Sequence, residues 1–455
     1  MEHHEKHHRS SFSGGIGFVL AAAGSAVGLG NLWRFPYLAA QYDGGMFIFV
    51  YIILALTFGF TLMATEIAIG RKTKKSPGLA YALIDKRFGF LGVLAYLVPI
   101  IILPYYCVIG GWVVKYMVTY CVGGWADAAG DTYFSSFIGS SVSPLVYFAI
   151  YLGLTAIVIL LGVNKGIEKL SKFLMPLLVI ISVIIAVYVM TLPGVGDGIK
   201  YYLLPDFSHF SFKTVCAAMG QMFFSMSIAM GIMVTYGSYS KDDVSLSSSV
   251  NQIEIFDTAI ALLAGLMVVP AVYTFSGEAG TKQSGAGLMF ITLPKVFKQM
   301  PGGQIIGILF FILVFFAALT SSISIMEAIV ASFMDKFHIS RNKGVAISIV
   351  IAIALGIPSS LGNGIWSNIK ILGMDFLTFF DYISNSLLMP LLAFLTCILI
   401  GWVVGPKTIT DELTKNGEKL ARKGLYNVMI KYVAPVLLLI ILVFYSLAQF
   451  GLITV

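Results

Sequence analysis

The chain has 455 residues, of which 58% are hydrophobic and 11% charged, and its mean hydropathy is +0.91. Soluble globular proteins carry about 25% charged residues, so this composition excludes a soluble enzyme and indicates a protein that crosses the membrane many times. A net charge of +7 would suggest nucleic-acid binding in a soluble protein. Here we assign the charge to basic loops on the cytoplasmic side and expect no nucleic-acid partner.

The apolar stretches are long enough to cross a bilayer, which takes about 20 residues. They predict about eleven spans, near residues 13–40, 45–71, 88–120, 143–162, 167–191, 213–238, 251–277, 303–335, 344–361, 375–404 and 428–452. A polar cytoplasmic tail, residues 1–12, precedes them, and residues 13–404 form the predicted helical core. A basic cytoplasmic loop, residues 405–427, leads to the eleventh helix and the C-terminus in residues 428–455.

The distribution of lysine and arginine predicts the orientation. Basic residues crowd alternate connections, such as residues 71–75, 165–172 and 407–431. Cytoplasmic loops carry an excess of these residues, so we expect the N-terminus in the cytoplasm. An odd number of spans then places the C-terminus outside, in a multi-pass protein of the inner or plasma membrane.

Two sets of five spans, residues 13–191 and 213–404, are predicted to form an inverted repeat. Because five is odd, the second set enters the membrane from the opposite side, which such a repeat requires. The first span of each set is interrupted by glycine and serine, in residues 24–36 and 221–231. Backbone groups freed at that depth must line a cavity or bind something, and paired breaks mark the binding site of an alternating-access transporter.

The sequences of these breaks resemble a known family. Residues 24–37 read GSAVGLGNLWRFPY and residues 221–227 read QMFFSMS. With Pro104-Tyr105-Tyr106 and residues 319–322, LTSS, they are similar in kind and order to the neurotransmitter:sodium symporters. The resemblance covers essentially the whole chain. It implies an all-α, LeuT-like fold with a 5+5 inverted repeat, broken helices 1 and 6 and sodium-coupled uptake of an amino acid or amine.

The resemblance also implies where a substrate binds. An amino-acid zwitterion needs donors for its carboxylate and acceptors for its ammonium, and the ends of broken helices supply both. The amides of Leu29 and Gly30 and the Tyr106 hydroxyl are implied for the carboxylate. The groups implied for the ammonium are the carbonyls of Ala26, Phe224 and Ser225 and the hydroxyl of Ser227. The alternative is that Gly28 and Gly30 only permit close helix packing.

The implied substrate-binding residues indicate what side chain the substrate carries. They are Ala26, Leu29, Gly30, Ile102, Tyr106, Phe224, Ser225, Ser227, Met230, Ser321, Ser324 and Ile325. Family members often carry an aromatic residue in place of Met230, and methionine adapts to ligands of different shape. We therefore expect a neutral, hydrophobic or aromatic L-amino acid. Apolar residues at helical spacing are also what a plain core presents.

Two sodium sites follow from the resemblance, and both offer the oxygen ligands that a hard cation prefers. The first comprises Ala26, Asn31, Ser225 and Asp257, with the substrate carboxylate. The second comprises Gly24, Val27, Ala317, Thr320 and Ser321. The hydroxyls of Thr320 and Ser321 have an alternative, which is to bond the preceding turn of their own helix.

Asp257 separates this chain from part of the family. Many relatives place asparagine there and serine one turn later, and they depend on chloride, whereas the later position here is Ala261. An uncompensated charge at membrane depth costs about 3 kcal/mol, so the aspartate needs a partner. We expect that partner to be sodium and transport to be independent of chloride. The alternative is a structural aspartate paired with a hydroxyl.

Two gates are also implied. Arg34 lies just outside the first break, and Asp381 in the tenth span is its expected outer partner, directly or through water. On the inner side Arg9 is expected to pair with Asp335, near Tyr239. Surface ion pairs contribute about 0–1 kcal/mol, which lets a gate open without a large barrier.

The fifth span contains Gly166 and Pro176, which both weaken a helix. Similar bacterial members carry this spacing, and in them the cytoplasmic end of the helix can unwind. We infer the same unwinding here, with water reaching the second sodium site. A kinked helix is the alternative.

Two other functions fit the same pattern. An amine or osmolyte carrier of this fold would need a substitute for the substrate carboxylate, and Gly24 and Ser25 supply no such charge. A non-transporting amino-acid sensor would bind without turnover, although the gates argue against it. An enzyme is not expected, because the spans hold no histidine, cysteine or paired-carboxylate cluster with the spacing of a nucleophile or metal site.

Overall fold

The computed structural model describes residues 11–281 and 285–449. Within these ranges every extended element is a helix, and the one β-type contact is an isolated bridge between Ile371 and Met374. The main helices are α1 Gly15–Ala26, α2 Gly30–Gln41, α3 Gly45–Thr73, α4 Lys86–Cys121, α5 Ser143–Leu160, α6 Val163–Met190, α7 Phe212–Ser225, α8 Ile232–Tyr239, α9 Leu246–Thr281, α10 Gly303–Phe337, α11 Arg341–Leu361, α12 Phe376–Val403 and α13 Lys423–Leu447.

Nine helices in the described part of the chain are long and apolar enough to cross a membrane, and α1 with α2 makes a tenth, bent by 45°. The predicted span near residues 213–238 is the pair α7 and α8, which have 14 and 8 residues. Neither reaches the roughly 20 residues that a bilayer requires. Residues 226–231 separate them, so both predicted breaks interrupt a helix.

The predicted weak point in the fifth span is wound in this structure. A wider, π-helical turn occupies Val163–Glu168, and a regular helix continues from Lys169 through Pro176. A Cβ at Gly166 would lie 2.2 Å from the Val158 carbonyl oxygen, so glycine is needed where α6 approaches α5. The unwinding of this segment stays a prediction.

Close backbone contacts fix α8 against α3. A Cβ at Gly70 would lie 2.0 Å from the Val234 carbonyl oxygen, and one at Gly237 would lie 2.2 Å from that of Ile67. Small residues allow this approach between membrane helices. The lower half of the second broken span is therefore held by the helix that carries Glu66, while α10 packs along α4 and reaches α1.

Candidate functional site

The first break lies between α1 and α2, where carbonyl and N–H groups lose their helical partners. The Ser25 carbonyl accepts hydrogen bonds from the hydroxyls of Ser227, at 3.1 Å, and Ser321, at 2.9 Å. The Leu29 N–H donates to the Tyr106 hydroxyl at 3.4 Å. Side chains from α4, α10 and the second break thus satisfy the freed backbone, as burial requires.

The second break, residues 226–231, has a different backbone. Ser227, Ala229 and Gly231 have φ angles of 53°, 58° and 70°. The left-handed conformation costs an L-residue about 1–2 kcal/mol, so two of these three residues are strained. The Ala229 N–H donates to the buried carboxylate of Glu66 at 2.7 Å, which anchors the segment to α3.

The two breaks touch each other through hydroxyl groups. The Ser25 and Ser227 Oγ atoms lie 3.1 Å apart, and both residues are buried. A Cβ at Gly30 would meet the Phe224 ring at 3.0 Å and the Ser225 Cα at 3.1 Å. Glycine at position 30 therefore allows the first break to approach the end of α7.

A small cavity of about 10 Å³ lies between the breaks. It is lined by Ser25, Ala26, Gly28, Leu29, Gly30, Tyr106, Phe224, Ser227, Met230, Ser321 and Ile325. Nine of these eleven residues belong to the substrate set predicted from the sequence, and Ser25 and Gly28 are additional. A Cβ at Gly28 would lie 2.1 Å from the Ser321 Oγ atom, so glycine at this position keeps the cavity open.

Three residues of the predicted substrate set do not line this cavity. Ser225 faces Asp257, as described below. The Ser324 hydroxyl donates to the Thr320 carbonyl at 2.9 Å and lies 2.7 Å from the Tyr236 hydroxyl. Ile102 is fully buried in the hydrophobic core.

Asp257 of α9 is fully buried and receives three side-chain donors. Asn31 Nδ2 and the Ser225 hydroxyl donate to Oδ1, each at 2.8 Å, and the Tyr51 hydroxyl donates to Oδ2 at 3.2 Å. Of the predicted first sodium set, Asn31, Ser225 and Asp257 meet here, while Ala26 lies on the cavity wall. The Asp257 carboxylate and the Ser225 hydroxyl are oxygen ligands of the kind that a hard cation such as Na⁺ prefers, whereas the Asn31 Oδ1 atom accepts the Gly28 N–H at 3.2 Å.

Gln221 supports the same region. Its Nε2 donates to the Gly30 carbonyl at 2.7 Å, and its Oε1 atom has no hydrogen-bond partner among the described residues. Gln221 and Tyr51 thus both make local hydrogen bonds in this region.

The second predicted sodium set occupies one turn of α10 and the end of α1. The Thr320 hydroxyl donates to the carbonyls of Phe316, at 3.1 Å, and Ala317, at 3.0 Å. Thr320 thus makes the bond to its own helix that was the alternative to ion binding, and this bond places its oxygen beside that of Ala317. Ser321 instead bonds α1. Gly24 and Val27 lie buried at the end of α1, with Gly24 facing Met175 of α6.

Arg34 and Asp381, the two residues predicted for the outer gate, make separate contacts. The Arg34 guanidinium lies 5.6 Å from the centroid of the Phe224 ring. Asp381 accepts hydrogen bonds from Tyr105, at 3.3 Å, and from Asn385. No ion pair within 4.0 Å joins Arg34 to Asp381 in the residues that the structure describes.

An ion pair that was not predicted from the sequence lies next to Tyr239, a residue predicted for the inner gate. The Tyr239 hydroxyl donates to the Glu327 carboxylate at 2.7 Å, and Arg341 of α11 pairs with the same carboxylate. Asp335 accepts the Ser76 N–H at 2.7 Å, and Arg9 lies outside the described residues. A buried Glu327 requires a cation. The sequence feature that could have predicted the pair is Arg341, the first arginine after Glu327.

Comparison with known proteins agrees with this architecture. The sequence profile of the sodium:neurotransmitter symporter family matches residues 9–136 and 134–453. The sodium-dependent transporter YhdH of Bacillus subtilis is 33% identical over 446 residues, 95% of this chain and 96% of the relative. The sodium- and chloride-dependent taurine transporter of Rattus norvegicus is 28% identical, over 89% of this chain and 73% of the relative.

A solved structure gives the same result. The crystal structure of MhsT in complex with L-phenylalanine superposes with a TM-score of 0.87 at 33% identity, covering 96% of this chain and 99% of MhsT. Two broken helices around a closed cavity are thus found in a chain that matches this family along nearly its whole length. The chain belongs to the sodium:neurotransmitter symporter family and is a multi-pass, sodium-dependent membrane transporter with the LeuT-like fold.

Proposed function

We propose that the protein imports a neutral, hydrophobic or aromatic L-amino acid with sodium, and that it needs no chloride. The observation that carries this proposal is the lining of the cavity. The Leu29 N–H and Tyr106 hydroxyl form a polar edge suited to a carboxylate, while Phe224, Met230 and Ile325 provide apolar surface. The cavity volume of about 10 Å³ is room for about one water molecule, so the lining has to move apart when an amino acid binds.

The relatives support the substrate class. MhsT, whose crystal structure is a complex with L-phenylalanine, matches 96% of the length of the present chain. We transfer that class rather than that amino acid to the present chain, because Met230 adapts to several side-chain shapes.

Independence of chloride rests on Asp257. Its carboxylate lies 2.8 Å from the Ser225 hydroxyl and 3.2 Å from that of Tyr51, so a fixed negative charge already occupies the region. A chloride ion beside it would be repelled, since like charges at close range in a buried site destabilise each other. Ala261, one turn later on α9, is fully buried and supplies no hydroxyl for an anion.

Sodium is proposed to bind at two places. Asp257, Asn31 and Ser225 would hold the first ion beside the substrate carboxylate, and the carbonyls of Gly24, Val27 and Ala317 with the hydroxyls of Thr320 and Ser321 the second. Each positive charge that enters the cell releases about 2.3 kcal/mol per 100 mV of membrane potential. With the N-terminus in the cytoplasm, this energy drives accumulation inside the cell.

The alternating-access step is assigned to the two breaks and the gates. Arg34 and Asp381 close the outer side, and Arg9, Asp335 and Tyr239 close the inner side. Unwinding of α6 between Gly166 and Pro176 would give water a route to the second sodium site. An osmolyte carrier is the second candidate, because taurine transporters are 28% identical to this chain.

Uptake by purified protein in proteoliposomes tests the proposal. We expect labelled hydrophobic and aromatic amino acids, but not taurine, to accumulate under a sodium gradient and equally well when gluconate replaces chloride. Asp257→Asn should lower uptake about tenfold or more, since hydrogen bonds to a charged group contribute roughly 1.5–3 kcal/mol. The exposed Asp411→Asn is the matched control. Loss of uptake in gluconate would refute chloride independence, and sodium-dependent binding without uptake would identify a sensor.

A further inference from the structure

A second cavity shares no lining residue with the substrate site and lies between the segment that follows α12 and the start of α13. It is an open cleft of about 490 Å³. Its lining consists of Pro406, Lys407, Thr410, Lys423, Asn427, Val428, Lys431 and Tyr432. Three lysines therefore face one cleft beside a membrane helix.

These lysines differ from the other cations of the same region. Arg422 pairs with Glu254, and Lys415 lies 3.4 Å from a carboxylate oxygen of Asp242. Lys407, Lys423 and Lys431 make no ion pair with any residue that the structure describes. Three ammonium groups around one cleft repel each other, and a bound anion would remove this repulsion.

Two exposed aromatic residues beside the cleft are of the kind found at the edge of a bilayer. Trp402 is 63% exposed, and its indole N–H donates to the Lys431 carbonyl at 2.9 Å. The Trp402 ring packs edge-on against Tyr432, which is 56% exposed, with centroids 5.9 Å apart. Exposed tryptophan and tyrosine side chains occupy the headgroup level of membranes.

An apolar stripe continues from the cleft along α13. The exposed residues of this stripe are Val428, Tyr432, Val436, Leu439 and Val443. Their spacing of three or four residues places them on one helix face. A ligand that fills the cleft and follows this stripe needs an anionic head and a hydrocarbon tail.

We propose that this cleft binds the phosphate headgroup of an anionic glycerophospholipid, with an acyl chain lying along the stripe. Basic pockets between membrane helices are known to suit such headgroups. Free inorganic phosphate offers the same charge but makes no use of the stripe, so the lipid is the expected ligand. In the orientation proposed above it belongs to the cytoplasmic leaflet.

Lipid binding to the full-length protein in neutral detergent tests this proposal. Dioleoyl phosphatidylglycerol should bind in native mass spectrometry and raise the thermal unfolding midpoint, whereas dioleoyl phosphatidylcholine and inorganic phosphate at equal concentration should not. The variant with Lys407→Gln, Lys423→Gln and Lys431→Gln should bind phosphatidylglycerol on the order of a hundredfold more weakly, at about fivefold per lysine. The single variant Lys431→Gln should lose about fivefold and guards against misfolding of the triple variant.

The control is Lys419→Gln, in the same loop but outside the cleft. It should bind phosphatidylglycerol as the unmodified protein does. Equal stabilisation by phosphatidylcholine, an equal effect of inorganic phosphate, or unchanged lipid affinity in the triple variant would each overturn the proposal.

Discussion

Both breaks interrupt a membrane helix, but the residues that make the interruption possible differ between them. The first break depends on space, because Gly28 and Gly30 leave room for Ser321 and for the end of α7. The second break depends on conformation, because Ser227 and Ala229 are held with φ of 53° and 58°. The Glu66 carboxylate secures this strained segment by accepting the Ala229 N–H at 2.7 Å. The first break thus depends on the small size of glycine, whereas the second is stabilised by a hydrogen bond to a residue far away in the sequence.

Adding a methyl group to the first break should have the largest effect. In Gly28→Ala the new Cβ would lie 2.1 Å from the Ser321 Oγ atom and 3.1 Å from the Tyr106 hydroxyl. Both hydroxyls must move. We expect sodium-driven uptake to fall about tenfold or more, because this is the fold-change that corresponds to the loss of one hydrogen bond to a charged group. Proteoliposome uptake measures this, with Gly153→Ala, which meets no atom within 4 Å, as control. Uptake equal to that of the control would show that this glycine only aids packing.

Removing the anchor of the second break should come next. Glu66→Ala leaves the Ala229 N–H buried without an acceptor, which costs about 1–3 kcal/mol. We expect a lower thermal unfolding midpoint and weaker uptake. Glu66→Gln keeps an acceptor oxygen and should retain most of both, because the other carboxylate oxygen has no partner in the described structure. If glutamine is as harmful as alanine, the negative charge itself is required.

Replacing Ala229 of the second break by glycine should stabilise the protein slightly. Ala229→Gly relieves about 1–2 kcal/mol of left-handed strain and raises the entropy of the unfolded chain, which offsets roughly 0.4–1 kcal/mol. We therefore expect unfolding to require about 0.5–1 kcal/mol more, measured by denaturant titration in detergent. A clear destabilisation would mean that the Ala229 methyl group contributes to packing.

The smallest expected effect concerns the contact between the breaks. Ser25 and Ser227 should show a coupling of about 0.5 kcal/mol in a double-mutant cycle with alanine, since neighbouring groups that share a hydrogen bond are not additive. The free energy of unfolding of the two single variants and the double variant measures it. Strict additivity would show that the 3.1 Å contact between their hydroxyls does not connect the breaks.

The sequence predicted both breaks because glycine and serine interrupt apolar stretches of bilayer length. The structure also gives the buried carboxylates of Glu66 and Glu254 their partners, the Ala229 N–H and Arg422. The direction of single side chains was harder to predict. Ser225 is the last residue of α7, where the helical rotation ends, so spacing does not tell whether its hydroxyl faces the cavity or Asp257.

The pairing of Glu327 with Arg341 could also not be predicted from the sequence. Arg341 is the first residue of α11, whereas Glu327 lies within α10, 14 residues earlier in the chain. Their contact depends on how two helices cross, which hydrophobic periodicity does not specify. Buried charges need partners, but the choice among several nearby cations is made by packing.

The positions of the anchors in the chain also determine the order in which the site is assembled. Glu66 is synthesised 163 residues before Ala229, so its helix is already made when the second break leaves the ribosome. Asn31 instead precedes Asp257 by 226 residues, which at about 5–20 residues per second corresponds to about 11–45 s of synthesis. The second break thus meets its anchor at once, whereas the first must wait for a later helix. Until then its polar groups need temporary partners within the insertion machinery or water.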